Sequence, residues 1–164
     1  MDPTFRERLR VPRFRQLYDH WHALRGRRAM PAREDIDPLA MKELLGWLLL
    51  IDVERAPLRF RFRLVGTEIV AVRGRDLTGR YLDEAVGADD IILRLNTRVA
   101  TDPSIGFHCA LDTMHDATAG WIYRLSLPLS RNGRDVDMIL GGFAYEREAC
   151  KPPEMFERIP IAGT

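Results

Sequence analysis

Four side chains able to bind a metal or act as a nucleophile lie close together in the chain: His108, Cys109, Asp112 and His115. Two imidazoles and a carboxylate are ligands that suit Zn²⁺ or Fe²⁺. Residues 105–112, however, alternate apolar side chains with small or polar ones, which predicts a strand. On a strand His108 and Cys109 point to opposite faces, and His115 lies beyond its end. We therefore predict no metal site.

Other residues with chemical potential fit structural roles better than catalytic ones. Cys109 shares its predicted strand face with three apolar residues, and a thiol in such a row stays protonated and inert. Gly74 and Gly79 have the spacing of a phosphate-binding loop. Arg80 and Tyr81 follow, where that loop needs Lys and then Ser or Thr. These glycines are better explained as turn residues.

A cavity acid or base is the enzymatic alternative that the sequence leaves open. Asp112 or His108 could play this role on a small, cone-shaped α+β fold of the steroid-isomerase kind. Such a group would have to be buried, face a deep pocket and have a shifted pKa. Neither residue has an evident partner in the sequence, so we predict a protein without enzymatic activity.

Alternation of apolar and polar side chains with a period of two residues predicts the strands that would position these groups. Segment 46–66, GWLLLIDVERAPLRFRFRLVG, contains alternating Arg and Phe or Leu at 59–64, which predicts two antiparallel strands joined by a short turn. The same period returns after Pro103. It predicts three further strands, at about 105–111, 121–129 and 135–145.

Helical segments precede and separate these strands. Apolar residues recur at three- and four-residue spacing from Phe14 to Leu24, which predicts an amphipathic helix that begins at Pro12 and ends at Gly26. One short helix, with Asp37 as its N-cap and Pro38 at its first position, is expected before the first strand, and two further short helical pieces are expected after the second strand. A longer helix is predicted over 88–101.

This order of elements predicts an α+β fold. One five-stranded antiparallel sheet would carry helices on one face, plus the N-terminal amphipathic helices. Residues 1–34 would form an N-terminal helical arm and linker, and 35–146 the domain proper. Residues 147–164 contain three prolines and are expected to form a loosely attached tail.

Several motifs, in order, resemble a bacterial family of stand-alone PAS-like proteins. The matching runs are LYDHWHALRGRRAMPAREDIDPLAMKELLGWLLLIDV, RFRFRLVGTEIV and GRDLTGRYLDE, and together they lie within roughly residues 14–146. Two positions depart from the family pattern: Phe62 stands where Tyr is common, and Arg73 where an aromatic residue is frequent. The resemblance implies a PAS fold, a role in signal sensing or protein interaction, and frequent self-association. It supplies no catalytic residue, cofactor or defined ligand.

Composition narrows the class of protein further. The chain has 164 residues, two cysteines and a net charge of +1. One domain is expected, too few cysteines are present for a disulfide framework, and no apolar run approaches the ~20 residues of a membrane helix. We predict a cytoplasmic protein. The first 33 residues contain nine Arg and three acids, but these Arg are interleaved with the helical stripe, so packing within the protein is favoured over nucleic-acid binding.

The sequence therefore predicts a non-enzymatic sensory or regulatory module that binds a small ligand or a protein partner. A pocket would lie between the concave face of the sheet and the helices. Its candidate lining residues are Phe60, Phe62, Leu64, Ile91, Leu95, Trp121, Tyr123 and His108. The same side chains could instead form a closely packed core.

The amphipathic N-terminal helix is the predicted route of signal output. Its apolar stripe must be buried, either on the outer face of the sheet or against a second copy. The second possibility predicts a homodimer interface formed by Phe14, Leu17, Tyr18, Trp21 and Leu24. A ligand would then act by shifting how this helix docks.

Overall fold

The segments with period two form the strands of one antiparallel sheet. The structure is a computed structural model, which describes residues 3–86, 90–112, 120–149 and 151–160; His115 lies outside them. The strands are β1 (Leu48–Glu54), β2 (Arg59–Val65), β3 (Ser104–Leu111), β4 (Trp121–Leu129), β5 (Met138–Glu146) and β6 (Glu154–Arg158). Their order across the sheet is β2-β1-β5-β4-β3-β6.

The sixth strand corrects the prediction of a five-stranded sheet. Residues Glu154–Arg158 pair antiparallel with β3, with Ser104 opposite Arg158 and His108 opposite Glu154. Met155, in the middle of this pairing, is buried. The segment expected to be a loosely attached tail thus supplies an edge strand. Its prolines flank the strand instead of interrupting it, which is where a sheet tolerates proline.

Helices form where the apolar period changes to three or four. They are α1 (Pro3–Arg8), α2 (Pro12–Arg25), α3 (Thr67–Arg73), α4 (Leu82–Val86) and α5 (Ile91–Thr101). As predicted, α2 begins at Pro12, and Gly26 follows it with a positive φ of 54°. Three short 3₁₀ turns replace the helix expected before β1. Asp37 caps one of them by accepting a hydrogen bond from the backbone N–H of Leu39 at 2.9 Å.

The sheet is the middle layer of the fold, because helices cover both of its faces. On the face that we call the inner face, the hydroxyl of Ser126 in β4 donates to Asn96 Oδ1 of α5 at 3.0 Å. Helices α3, α4 and α5 cover this side. On the outer face, the indole N–H of Trp21 in α2 donates to the Pro128 carbonyl at 2.8 Å. The two faces therefore bury two different rows of side chains.

A close contact between two glycines fixes the end of the β1–β2 hairpin. A Cβ atom on Gly66 would lie 2.3 Å from the carbonyl oxygen of Gly46. No side chain fits at that distance, so glycine is required where β2 leaves the sheet and α3 begins. This contact sets the position of α3 over the inner face.

Candidate ligand-binding site

A cavity of about 70 Å³, which we call the small cavity, lies between the inner face and helices α3 to α5. Its apolar walls include Leu49, Ile51, Phe62, Ile69, Leu82, Ile92 and Phe143. Its polar lining consists of Asn96, Ser126, Arg73, Arg75 and Arg124. This volume is well above the roughly 10–15 Å³ that a cavity needs to hold one water, so it has room for water or for a compact organic molecule.

A buried polar pair forms one wall of the small cavity. Asn96 is 1% exposed and Ser126 is 5% exposed, and the hydrogen bond between them joins α5 to β4. Buried polar side chains are costly unless they are hydrogen-bonded. This pair therefore fixes the position of α5 on the sheet and places polar atoms beside the cavity.

Arg124 is the charged group that the sheet contributes to the site, and β4 positions it on the inner face. It lies opposite His108 of β3 and Phe143 of β5. The residue is partly buried, and desolvation of its guanidinium is the main reason that its pKa is lowered to about 10, with Arg73 adding repulsion. Arg124 is therefore still protonated at neutral pH. Within the part of the chain that the structure describes, no hydrogen bond or ion pair engages its guanidinium.

A second, adjoining cavity of about 300 Å³ meets the small cavity at Arg124. The residues that line both are Arg73, Val86, Ile92 and Arg124. Asp90 and Asp112 line only the adjoining cavity. Both carboxylates raise the pKa of Arg124 through the electrostatic field, against the larger effect of burial. Among the described residues, the charged lining of the small cavity is thus arginine alone, whereas the adjoining cavity is lined by both arginines and carboxylates.

Some of the predicted pocket residues are close to these cavities. Phe62 lines the small cavity and Ile91 the adjoining cavity. Phe60, Leu95 and His108 are buried on the inner side of the sheet, but the residues lining the two cavities do not include them. These three side chains are packed in the interior.

Leu64, Trp121 and Tyr123 lie on the outer face, which corrects their assignment to the pocket. The pairing of β1 with β2 shifts its register between Leu50 and Ile51. Leu64 is thereby rotated away from the face that carries Phe62 and is 43% exposed. Trp121 and Tyr123 alternate with Arg124 along β4, so they point to the opposite face.

The sequence analysis missed Asn96 of α5, Arg73 and Arg75, and two residues in the less apolar row of β4. Trp121, Tyr123 and Leu125 form the more apolar row, but they lie on the outer face. The inner row contains Arg124 and Ser126, two polar residues in an otherwise apolar strand. That interruption was the one available signal for the site, because an isolated polar pair inside a buried strand needs a partner.

His108 is buried and uncharged at neutral pH. Burial, followed by repulsion from Arg124, lowers its pKa to about 4. Its Nδ1 atom has no hydrogen-bond partner among the described residues. Asp112 is also buried, and unlike His108 it lines the adjoining cavity. Of the two candidate acid–base groups, only Asp112 meets the condition of facing a pocket.

The predicted homodimer stripe is buried within a single chain. Four of its five residues are at most 1% exposed, namely Phe14, Leu17, Tyr18 and Trp21. The fifth, Leu24, is partly buried. The rings of Phe14 and Phe107 meet edge to face at 6.4 Å on the outer face. Of the two alternatives for this stripe, the structure therefore shows packing on the chain's own sheet. A second copy has no access to these side chains in this arrangement.

The described residues contain neither a metal-binding cluster nor a membrane-spanning helix. No group of three or more His, Cys, Asp and Glu side chains is placed to hold a metal ion within the ranges that the structure covers. In the same ranges, no helix is long and apolar enough to cross a membrane.

Comparison with known proteins assigns the family. A comparison with curated proteins finds no significant match. A family model described as a PAS domain matches residues 9–144, which include α2, the strands β1 to β4 and most of β5. PAS domains are generally non-enzymatic sensory or regulatory modules, and they often mediate protein interactions and dimerisation. With this match over most of its length, the chain belongs to the PAS domain family.

Proposed function

We propose that this PAS domain is a non-enzymatic sensory or regulatory module that binds a small ligand in the small cavity. One observation supports this above all others. The cavity combines apolar walls with a polar pair and a protonated Arg124 that has no partner among the described residues. A few placed polar groups in an apolar pocket are typical of small-molecule sites. A purely structural interior would be filled and electrically neutral.

The route from ligand to output runs through β4. Arg124 and Ser126 reach the cavity from one side of this strand, while Pro128 accepts the Trp21 hydrogen bond on the other side. A ligand that shifts β4 changes the surface on which α2 is packed. The proposed signal is a change in the population of docked α2, read by a partner protein or by a second copy. The self-association proposed here uses surfaces outside the buried α2 stripe.

Asp112 supports one alternative, a small enzyme with a cavity acid or base. It is buried and lines the adjoining cavity. Asp112 raises the pKa of Arg124 through the electrostatic field, and Arg124, where the two cavities meet, stays protonated and suits recognition of an anion better than proton transfer. Ligand binding is therefore the better supported function. An enzyme would require turnover that is lost in Asp112→Asn, whereas a binding module predicts that this variant still retains its ligand.

Native mass spectrometry of the purified full chain tests the proposal, because it reports both stoichiometry and any retained small molecule. We expect additional mass in the wild type and its loss in Ser126→Leu, which fills the cavity wall. Thr101→Leu is the matched control, since Thr101 is exposed at the end of α5 and lines neither cavity. Equal retention in both variants would contradict binding in the small cavity. Amide hydrogen exchange over 12–25 should change when the retained molecule is removed.

A further inference from the structure

The lining of the small cavity has an excess of positive charge. It contains Arg73, Arg75 and Arg124, and no carboxylate is among the described residues that line it. Arg75 Nη2 donates to the Ala85 carbonyl at 3.1 Å. For Arg73 and Arg124, the described residues provide neither a side-chain hydrogen bond nor an ion pair. Within the described part of the chain, the guanidinium groups of Arg73 and Arg124 therefore line this region without an ion pair.

The desolvated position of Arg124 makes this arrangement costly without an anion. A charge removed from water is tolerated in a protein when it is paired and hydrogen-bonded. Asp90 and Asp112 act on Arg124 only through the field, and they lie on the side of the adjoining cavity. On the side of the small cavity, an anion on the ligand would supply the missing counter-charge. The planar fork of Arg matches the two oxygens of a carboxylate.

The walls and volume define the rest of the ligand. An apolar space lies next to Arg124, and it is bounded by Leu49, Ile51, Phe62 and Phe143. A volume of about 70 Å³ admits only a few carbon atoms beside the carboxylate. Inorganic phosphate has no hydrocarbon part, so it would leave these apolar walls in contact with a charged group. The shape and polarity therefore favour a carboxylate with a short apolar tail.

Building on the ligand-binding function proposed above, we infer that the small cavity binds a short-chain aliphatic monocarboxylate, with its carboxylate on Arg124 and its hydrocarbon tail against Leu49, Ile51 and Phe62. This inference assigns a chemical class of ligand to the small cavity and a recognition role to Arg124.

Calorimetric titration of the ligand-free wild-type protein tests the chemical class without any variant. The probes are butyrate and pentanoate, the isosteric amides butyramide and pentanamide, and inorganic phosphate, all at equal ionic strength. A charge-assisted hydrogen bond in a buried site makes each carboxylate bind roughly ten- to a hundredfold more tightly than its amide. Equal affinity for acid and amide, or tighter binding of phosphate, would overturn the inference.

Two substitutions locate the anion. Arg124→Met removes the charge and keeps much of the side-chain length, and it should abolish the preference of the protein for pentanoate over pentanamide. Arg134→Met is the matched control, because Arg134 is exposed in the β4–β5 connection, and it should leave the preference unchanged. Arg124→Lys keeps the charge without the fork and should weaken pentanoate binding less than Arg124→Met. An undiminished preference for pentanoate in Arg124→Met would refute the role of Arg124.

The amide probes separate this inference from the function on which it rests. If pentanamide binds as tightly as pentanoate and Ser126→Leu abolishes both, the carboxylate inference is wrong and the cavity is still a binding site. If neither probe binds and the purified protein retains no small molecule, the proposed ligand-binding function fails as well.

Discussion

Acidification should destabilise the fold through His108, which is 7% exposed beneath α5. Burial, followed by repulsion from Arg124, holds its pKa at about 4, against an ordinary value of 6.5; Asp90 opposes this and Arg94 adds to it. The unfolded chain therefore binds more protons than the folded chain between about pH 6.5 and pH 4. The stability that neutral His108 provides is complete above this window and is lost as the pH falls through it.

The magnitude follows from the two pKa values. A difference of about 2.5 between them corresponds to roughly 3 kcal/mol in total, at about 1.4 kcal/mol for each pKa unit. About 2 kcal/mol of this should be lost between about pH 7.5 and pH 5. Urea unfolding at a series of pH values measures it in the wild type and in His108→Gln, which does not titrate. As the pH falls from about 7.5 to about 5, the free energy of unfolding of the wild type should fall by about 2 kcal/mol more than that of His108→Gln.

His22 provides an independent comparison on the opposite face of the sheet. Burial, followed by repulsion from Arg25, lowers its pKa to about 4 as well. Because α2 and β3 place the two rings on different sides of the sheet, the effects of His22→Gln and His108→Gln should be additive. Parallel pH curves for wild type and His108→Gln would refute the reasoning. So would an NMR titration of His108 in the folded protein with a midpoint near 6.5.

Three further changes test the packing around the site. Trp21→Phe leaves the buried Pro128 carbonyl without its indole donor; urea unfolding should show a loss of about 1–3 kcal/mol, and a change below about 0.5 kcal/mol would contradict this. Gly66→Ala places a methyl group 2.3 Å from the Gly46 carbonyl oxygen, and should lower the midpoint of thermal unfolding by several degrees; an unchanged midpoint would argue against the glycine contact. Truncation before Glu154–Arg158 exposes the edge of β3, so light scattering should show concentration-dependent association, and a monomer at all concentrations would contradict an unprotected edge.

Much of the fold could be predicted because local rules determine it. Alternation of period two located β1 to β4 closely, and Pro12 and Gly26 marked the ends of α2. Strand β6 was missed for an equally physical reason. A strand of five residues between prolines has little periodic signal of its own, and it is stabilised by pairing with β3. Such pairing is a long-range contact that no local pattern encodes.

The candidate site was predicted less well, because the sequence does not say which face of a strand is the inner one. When helices cover one side of a sheet, the apolar row marks the core. Here α2 covers the other side, so both rows of β4 are buried, and the more apolar row belongs to the helix-packing face. The bulge between β1 and β2 displaced Leu64 in the same way.

The sequence by itself determined most of the elements, their order and the family, since these depend on periodicity, end signals and linear motifs. Only the tertiary structure decided which side chains meet: Arg124 with the small cavity, Trp21 with Pro128, and β6 with β3. The reason is that a strand offers two faces and two edges. The partners of each are chosen by packing between distant parts of the chain, which is a property of the assembled layers.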